Sequence, residues 1–250
     1  MKYFLGEIQY FINYFFSNDT KLLYIKELRR NGIAVIPNFL SEEECKFHVD
    51  KINSCIKAKK TSWNDKDNSD VRIFGYENLI SEASNLFNKI DSIYNNYISL
   101  LKMNSFLMAN RVCFKKNNKG SGGGWHRDSL NRRQLKFMIY LNDVESNNGP
   151  FEYVLKTHTA MNKFATNHFL TKKTRYTDSE MEDYKQKFPS KLYTAKKGTC
   201  IIFDSSGLHR GTPLRETGGV RYAITKYMYD SKIPNHVEEL ILKNDKKNLH

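Results

Sequence analysis

His126 and Asp128 stand two residues apart in Gly124-Trp125-His126-Arg127-Asp128. On an extended segment their side chains project from one face, so an imidazole and a carboxylate can meet one ion. A second imidazole, His209, follows much later in Gly207-Leu208-His209-Arg210-Gly211, directly after the apolar run 200–203. Two histidines and one carboxylate make the facial ligand set of a non-haem Fe(II) centre, which leaves three adjacent coordination positions for a bidentate cosubstrate and O2. Alone, the His-x-Asp pair carries little weight, because seven histidines in a chain with ordinary Asp content produce one readily by chance. The place of His209 at the end of a strand-like run, where sites are commonly built, adds to it.

Twelve residues beyond His209, Arg221 opens a second β-type run. A planar guanidinium there matches the far carboxylate of a dicarboxylic cosubstrate, with Arg215 as the competing cation. On the run 134–141 the alternate residues Gln134, Lys136, Met138 and Tyr140 share a face, and Lys136 and Tyr140 are the candidate cosubstrate contacts from it. Gly120-Ser121-Gly122-Gly123-Gly124 lacks the GK[ST] of a phosphate loop and is expected as a lip of the site.

These residues need a scaffold, and the hydrophobic pattern supplies one. Residues 106–114, 134–141, 151–155, 199–203 and 221–229 read as short strands separated by Gly and Asn turns, with no βαβ alternation, which predicts an antiparallel sandwich or barrel. Ahead of them the pattern predicts a helix over 21–30 stopped by Asn31-Gly32, a strand over 33–36, and a helix to about residue 57 opened by the capping box of Ser41 and Glu44. Residues 59–70 are expected as an exposed polar loop around Trp63, and 81–101 as a helix with Leu86, Ile90, Ile93, Tyr94 and Tyr97 on its buried stripe. A polar insertion over 167–190 carries a helix near 179–187. The divisions expected are an N-terminal aromatic helical segment (1–20) packed on the core, a catalytic domain (21–232) and a polar C-terminal tail (233–250).

With 40 Lys plus Arg against 27 Asp plus Glu, the formal charge is +13. The cations are scattered through nearly every segment, so the excess reads as solvated faces, and nucleic acid is not the expected partner. Four cysteines without a CxxC pair argue against a zinc knuckle or dithiol motif and fit free thiols in a reducing cytosol. Glu7, Gln9 and Asn13 interrupt the apolar N-terminus and no run reaches about 18 apolar residues, so neither a signal peptide nor a transmembrane segment is expected. A cytoplasmic location follows, with the oligomeric state left open.

Taken in order, the motifs resemble the phytanoyl-CoA dioxygenase family of Fe(II)/2-oxoglutarate-dependent oxygenases. Residues 31–44, Asn-Gly-Ile-Ala-Val-Ile-Pro-Asn-Phe-Leu-Ser-Glu-Glu-Glu, resemble that family's first strand and helix, and Trp125-His126-Arg127-Asp128 its metal-binding pair. Asn148-Gly149-Pro150-Phe151-Glu152-Tyr153-Val154-Leu155-Lys156-Thr157-His158 resembles its NGPL-x-V-x-PGSH segment, departing at Leu155-Lys156-Thr157, where Pro-Gly-Ser is usual. His209 and Arg221 complete the order. The resemblance implies a mainly β fold with flanking helices around a double-stranded β-helix (jelly-roll, cupin-like) core. It also implies Fe(II) on His126, Asp128 and His209, and 2-oxoglutarate anchored by Arg221. His158 has a turn role in that segment and no metal role.

The implied activity is hydroxylation of a C–H bond in a small metabolite, with release of succinate and CO2; the positive charge is consistent with an anionic one. Asp128, a carboxylate where a halogenase needs room for halide, favours hydroxylation. The alternatives are a hydroxylase of RNA or protein, a cupin-like metal enzyme that does not use O2, and a catalytically silent binding module.

Overall fold

The computed structural model describes residues 21–91, 93, 97, 104–117, 119–128, 134–165, 173–215, 219–229 and 232–245. The expected aromatic segment 1–20 lies outside them.

Helix α1 (Lys21–Asn31) ends at Gly32, whose φ of +84° turns the chain into strand β1 (Ile33–Ile36). Helix α2 (Glu42–Lys57) starts on the expected capping box: the Ser41 hydroxyl accepts from the Glu44 amide and the Glu44 carboxylate accepts from the Ser41 amide. Next come β2 (Trp63–Asn64), β3 (Asp70–Phe74), the short helix α3 (Tyr76–Leu79), β4 (Asn104–Cys113), β5 (Leu135–Tyr140) and β6 (Phe151–Val154). Helices α4 (Ala160–Ala165) and α5 (Asp178–Lys187) lead to β7 (Ser190–Tyr193), β8 (Cys200–Asp204), β9 (His209–Gly211), β10 (Val220–Tyr229) and helix α6 (Asn235–Asp245).

All strand pairs are antiparallel and form two sheets, one of order β1-β8-β5-β10-β4-β3-β2 and one of order β7-β6-β9. This is the jelly-roll sandwich expected. The period of two sorts β5: Phe137 and Ile139 join Ile25, Leu28, Ile52 and Ile202 beneath the helices, while Met138 and Tyr140 join Phe151, Tyr153 and Phe203 between the sheets. The site lies on this second, inter-sheet face.

Three segments differ from expectation. Residues 81–101 do not start as an α-helix: Ile80 is extended (φ −130°, ψ 97°), and Ser81–Asn85 and Asn88–Ile90 form 3-10 turns closed by Ala83–Ile80, Leu86–Ala83 and Ile90–Phe87 bonds. Ser and Asn at these positions compete for backbone partners and weaken a long helix, yet Phe87, Ile90, Ile93 and Tyr97 still reach the core; Tyr94 lies outside the described residues. The polar loop 59–70 holds β2 and runs into β3, which pairs with β4 from Asp70↔Val112 to Phe74↔Met108. The expected polar tail contains α6, whose Val237, Leu240 and Ile241 pack on Phe74, Phe106 and Met108. No helix among the described residues is long and apolar enough to cross a membrane.

Candidate metal centre and cosubstrate pocket

Residues 125–128 run extended between two neighbours. On one side His126 and His209 exchange both backbone hydrogen bonds at 3.0 Å, and the Asp128 amide donates to Ser205 O at 3.0 Å. On the other, Arg127 N donates to Thr174 O at 2.8 Å and Tyr176 N to Trp125 O at 3.0 Å. Direct opposition of His126 and His209 puts both rings on the same face, with centroids 4.3 Å apart. Asp128, two residues on from His126, joins them. His126 Nε2 is 3.6 Å from Asp128 Oδ1 and His209 Nε2 3.8 Å from Oδ2, and the three ligand atoms lie within 4.8 Å of one another.

The residues between the ligands point the other way and clamp the strand. Trp125 is buried with Val154, Tyr176, Met181 and Leu208, and its ring packs on Lys185 (4.6 Å) and Arg210 (4.5 Å), both paired to the buried Glu152 carboxylate at 2.8 Å. Arg127 donates to Thr157 O (2.6 Å) and Ser206 O (2.9 Å), while the Thr157 hydroxyl accepts from Leu208 N at 2.8 Å. Thr157 thereby ties the strand of the first histidine to that of the second. Its neighbour Lys156 sits where the family pattern has Gly and adopts φ +66°, so the turn survives the substitution with a left-handed lysine. His158 contacts the Arg29 carbonyl through Nε2 at 3.2 Å, is buried beside α1, and is not in the three-residue cluster.

Each ligand is electronically prepared. Nδ1 of His126 faces Gly124 O at 2.8 Å and Nδ1 of His209 faces Gly207 O at 2.9 Å. A carbonyl only accepts, so Nδ1 carries the proton and the Nε2 lone pair faces inward. Burial, reinforced by the neighbouring His126, pushes the His209 imidazole down to about 3, and burial also lowers His126. Burial by itself would raise the Asp128 carboxyl, but the Lys136 ammonium, by its charge and its hydrogen bond, holds it well below the usual carboxylate range. At neutral pH the cluster therefore offers two neutral imidazoles and a carboxylate, the protonation states a divalent metal requires. Gly122, at φ +88°, packs on the His126 ring so closely that a Cβ would come 2.6 Å from Cε1, which explains a glycine at the lip.

The cluster opens into a cavity of about 440 Å3. Gln134, Lys136 and Met138 line it as their shared face required, along with Arg221. Lys136 ion-pairs with Asp128 and lies over the Tyr227 ring at 4.2 Å. Arg221 is buried, donates to Gly149 O through one terminal nitrogen, and has a buried Nε without a hydrogen-bond partner among the described residues. Arg215 is exposed, is held by its backbone to Asn147 O, and does not line the cavity. Tyr140 does not line it either: packed between the sheets, its hydroxyl donates to Tyr193 O at 3.2 Å and accepts from Phe151 N at 2.8 Å. Buried among aromatics, the phenol has both hydrogen-bond roles used within the protein, and it lies close enough to the Arg221 guanidinium for each to act on the other's ionisation.

The lining also includes residues that the sequence did not single out: Arg72 and Phe74, Phe106 and Tyr229, and Pro234, His236 and Val237 of the C-terminal segment. Alternation along β4 could have exposed Phe106, Met108 and Asn110 as one face; nothing local marks α6.

A family model of phytanoyl-CoA dioxygenase (PhyH) matches residues 28–222. The chain belongs to this family. It is thereby an Fe(II)/2-oxoglutarate-dependent oxygenase. Solved structures similar to this oxygenase include the epimerase SnoN in complex with Fe3+, alpha-ketoglutarate and nogalamycin RO (13% identity, 88% of each chain, TM-score 0.66). They also include the carbocyclase SnoK from nogalamycin biosynthesis (16%, 84% of each chain, TM-score 0.63). A third is EctD from S. alaskensis with bound Fe (15%, covering 85% of this chain and 78% of EctD, TM-score 0.63). At these identities what is shared is the jelly-roll fold. No curated protein matches the chain.

Proposed function

We propose that this oxygenase couples oxidative decarboxylation of 2-oxoglutarate, to succinate and CO2, with hydroxylation of a C–H bond in a small metabolite. The observation that carries the reading is the convergence of His126, Asp128 and His209 within 4.8 Å at the inner end of a cavity that also holds the buried cation Arg221. In this reading the two Nε2 atoms and the Asp128 carboxylate hold Fe(II), and Asp128 fills the position a halide would need. When bound, the iron supplies O2 activation.

The chain's own residues do the rest. Carbonyls of Gly124 and Gly207 fix both imidazole tautomers, and Lys136 orients the Asp128 carboxylate by gripping one oxygen. Arg221, pre-aimed by Gly149 O, receives the far carboxylate of 2-oxoglutarate; Lys136 is its neighbour in the same cavity. Phe151 and Phe203 exclude water from the inner end, and the aromatic α6 end receives the substrate. Restricting the substrate to a small molecule agrees with the cavity of about 440 Å3, which suits one small ligand.

The test is succinate formation by purified, Fe(II)-loaded protein across a metabolite library, with products resolved by mass. One substrate should give stoichiometric succinate and a gain of one oxygen. Fe(II) binding without 2-oxoglutarate binding would contradict the proposal and favour a metal enzyme of another class.

A further inference from the structure

A second cavity, of about 630 Å3, lies where the end of α2 meets the β2–β3 edge and the last turn of α6. Its ionisable lining residues among those described are Lys59, Arg111 and Lys243, with no described Asp, Glu or His beside them. Asn64, Asn68 and Ser62 supply neutral polar groups, and Trp63, exposed to 39%, supplies an aromatic wall. None of these residues belongs to the iron cluster or to its cavity.

Arg111 makes the arrangement more than a solvated basic patch. It rises from the central part of the large sheet, between Val71 on β3 and Tyr222 on β10. Its residue is only partly exposed, and its Nε is buried with no hydrogen-bond partner among the described residues. No carboxylate among the described residues lines the cavity with it. A partly buried, uncompensated guanidinium is costly unless an anion meets it. Lys243 converges on the same space, its ammonium donating to Ser62 O at 3.1 Å. The rim is shaped by two non-glycine residues in left-handed conformations, Lys59 at φ +56° and Asn68 at φ +56°. Such geometry is uncommon and clusters at ligand clamps.

The geometry points to a second ligand site, in which Arg111, Lys243 and Lys59 bind the phosphates of a nucleoside diphosphate and Trp63 carries its base. Guanidinium and ammonium groups are the usual phosphate partners, and an indole face accepts a heterocycle at a sequence-independent gain. The cavity volume falls in the range of single small-molecule sites. Opposite Trp63, the Arg72 guanidinium lies 4.8 Å from the indole centroid, and Arg72 lines the iron-site cavity. A ligand seated on Trp63 therefore adjoins the catalytic cavity without entering it. This assignment does not depend on the oxygenase reading.

The test uses the full-length protein with excess 2-oxoglutarate, which keeps Arg221 occupied, and three probes: ADP, inorganic pyrophosphate and adenosine. Only two tryptophans are present and Trp125 is buried, so a change in emission on ligand addition reports Trp63. Calorimetry should show ADP binding tightest, pyrophosphate next and adenosine weakest, with ADP alone strongly perturbing the emission. Lys243→Gln and Arg111→Gln should each weaken pyrophosphate by about three- to ten-fold, the range of one ordinary net hydrogen bond at a solvent-open site. Trp63→Phe should remove the emission change and keep pyrophosphate binding. No heat with pyrophosphate at millimolar concentration, or unchanged affinity in the Lys243 variant, overturns the phosphate site. ADP binding no tighter than pyrophosphate overturns the role of Trp63. Lys243 sits in the last turn of a surface helix, so its variant remains informative if Arg111→Gln fails to fold.

Discussion

The two ends of the catalytic cavity are built by different rules. At the inner end, backbone hydrogen bonds do the positioning: His126 opposes His209 in a closed pair, Asp128 is tied to Ser205, and both imidazoles are oriented by carbonyls two residues away. At the α6 end, side chains from separate elements meet: Arg72 and Phe74 of β3, Phe106 of β4, Tyr229 of β10 and Val237 of α6, with Tyr227 of β10 reaching back beneath the Lys136 ammonium. Phe106 stacks on Tyr227 at 4.8 Å and 10° and contacts Tyr229 at 6.2 Å, so this wall is an aromatic ladder and not a ring of ligands. The His-Asp-His cluster thus rests on register, and the rest of the lining on packing between distant parts of the chain.

That contrast can be broken deliberately. The largest effect is expected for Asp128→Ala, which removes a ligand from a register-set cluster and should abolish iron binding, read by metal analysis, together with 2-oxoglutarate turnover. Next, Val237→Trp fills the cavity from its α6 end. Iron and 2-oxoglutarate should still bind by calorimetry while substrate-dependent succinate release is lost; parallel loss of iron would mean the ends are not separable.

Arg221→Ala should weaken 2-oxoglutarate by about 10- to 150-fold, the equivalent of about 1.5–3 kcal/mol for hydrogen bonds to a charged group, with little change in iron affinity. Arg215→Ala should leave both unchanged, and the reverse order would reassign the anchor. A smaller effect concerns protons. His209 falls from an ordinary value near 6.5 to about 3 on folding, so between those values the unfolded chain binds the extra proton and stability declines as pH falls. Metal-free protein should lose on the order of 1–2 kcal/mol between pH 7 and pH 5, read by urea midpoints, and His209→Asn should flatten the slope. The smallest effect is expected from Lys156→Gly, which relieves a left-handed lysine at φ +66° and should raise stability by up to about 1 kcal/mol.

The same division explains what the sequence made legible. Two-residue spacing in an extended segment carried His126 and Asp128, and the strand-end position carried His209, because both are local consequences of β periodicity. Arg221 is a candidate from its place at the opening of a strand, strengthened by the resemblance to a family, and it lines the cavity while Arg215 does not. Alternation likewise placed Gln134, Lys136 and Met138 in the cavity, but one step farther along the same face Tyr140 lies beneath the second sheet, and periodicity cannot mark where a pocket ends. Strands β2, β7 and β9 span two to four residues and gain their partners only in three dimensions. Helix α6 reads as polar because only Val237, Leu240 and Ile241 face the sheet, and its role at the cavity arises from packing across β3. Around residues 81–90 the apolar stripe correctly announced burial while Ser and Asn chose tighter turns.

Anaerobic titration of the Fe(II)-loaded protein with 2-oxoglutarate, followed by its visible charge-transfer absorption, tests the central claim most directly. A weak band should saturate at one equivalent, be absent in His126→Ala, and in Arg221→Ala appear only at much higher 2-oxoglutarate. No band in the unaltered protein, or a band unaffected by His126→Ala, would contradict that claim.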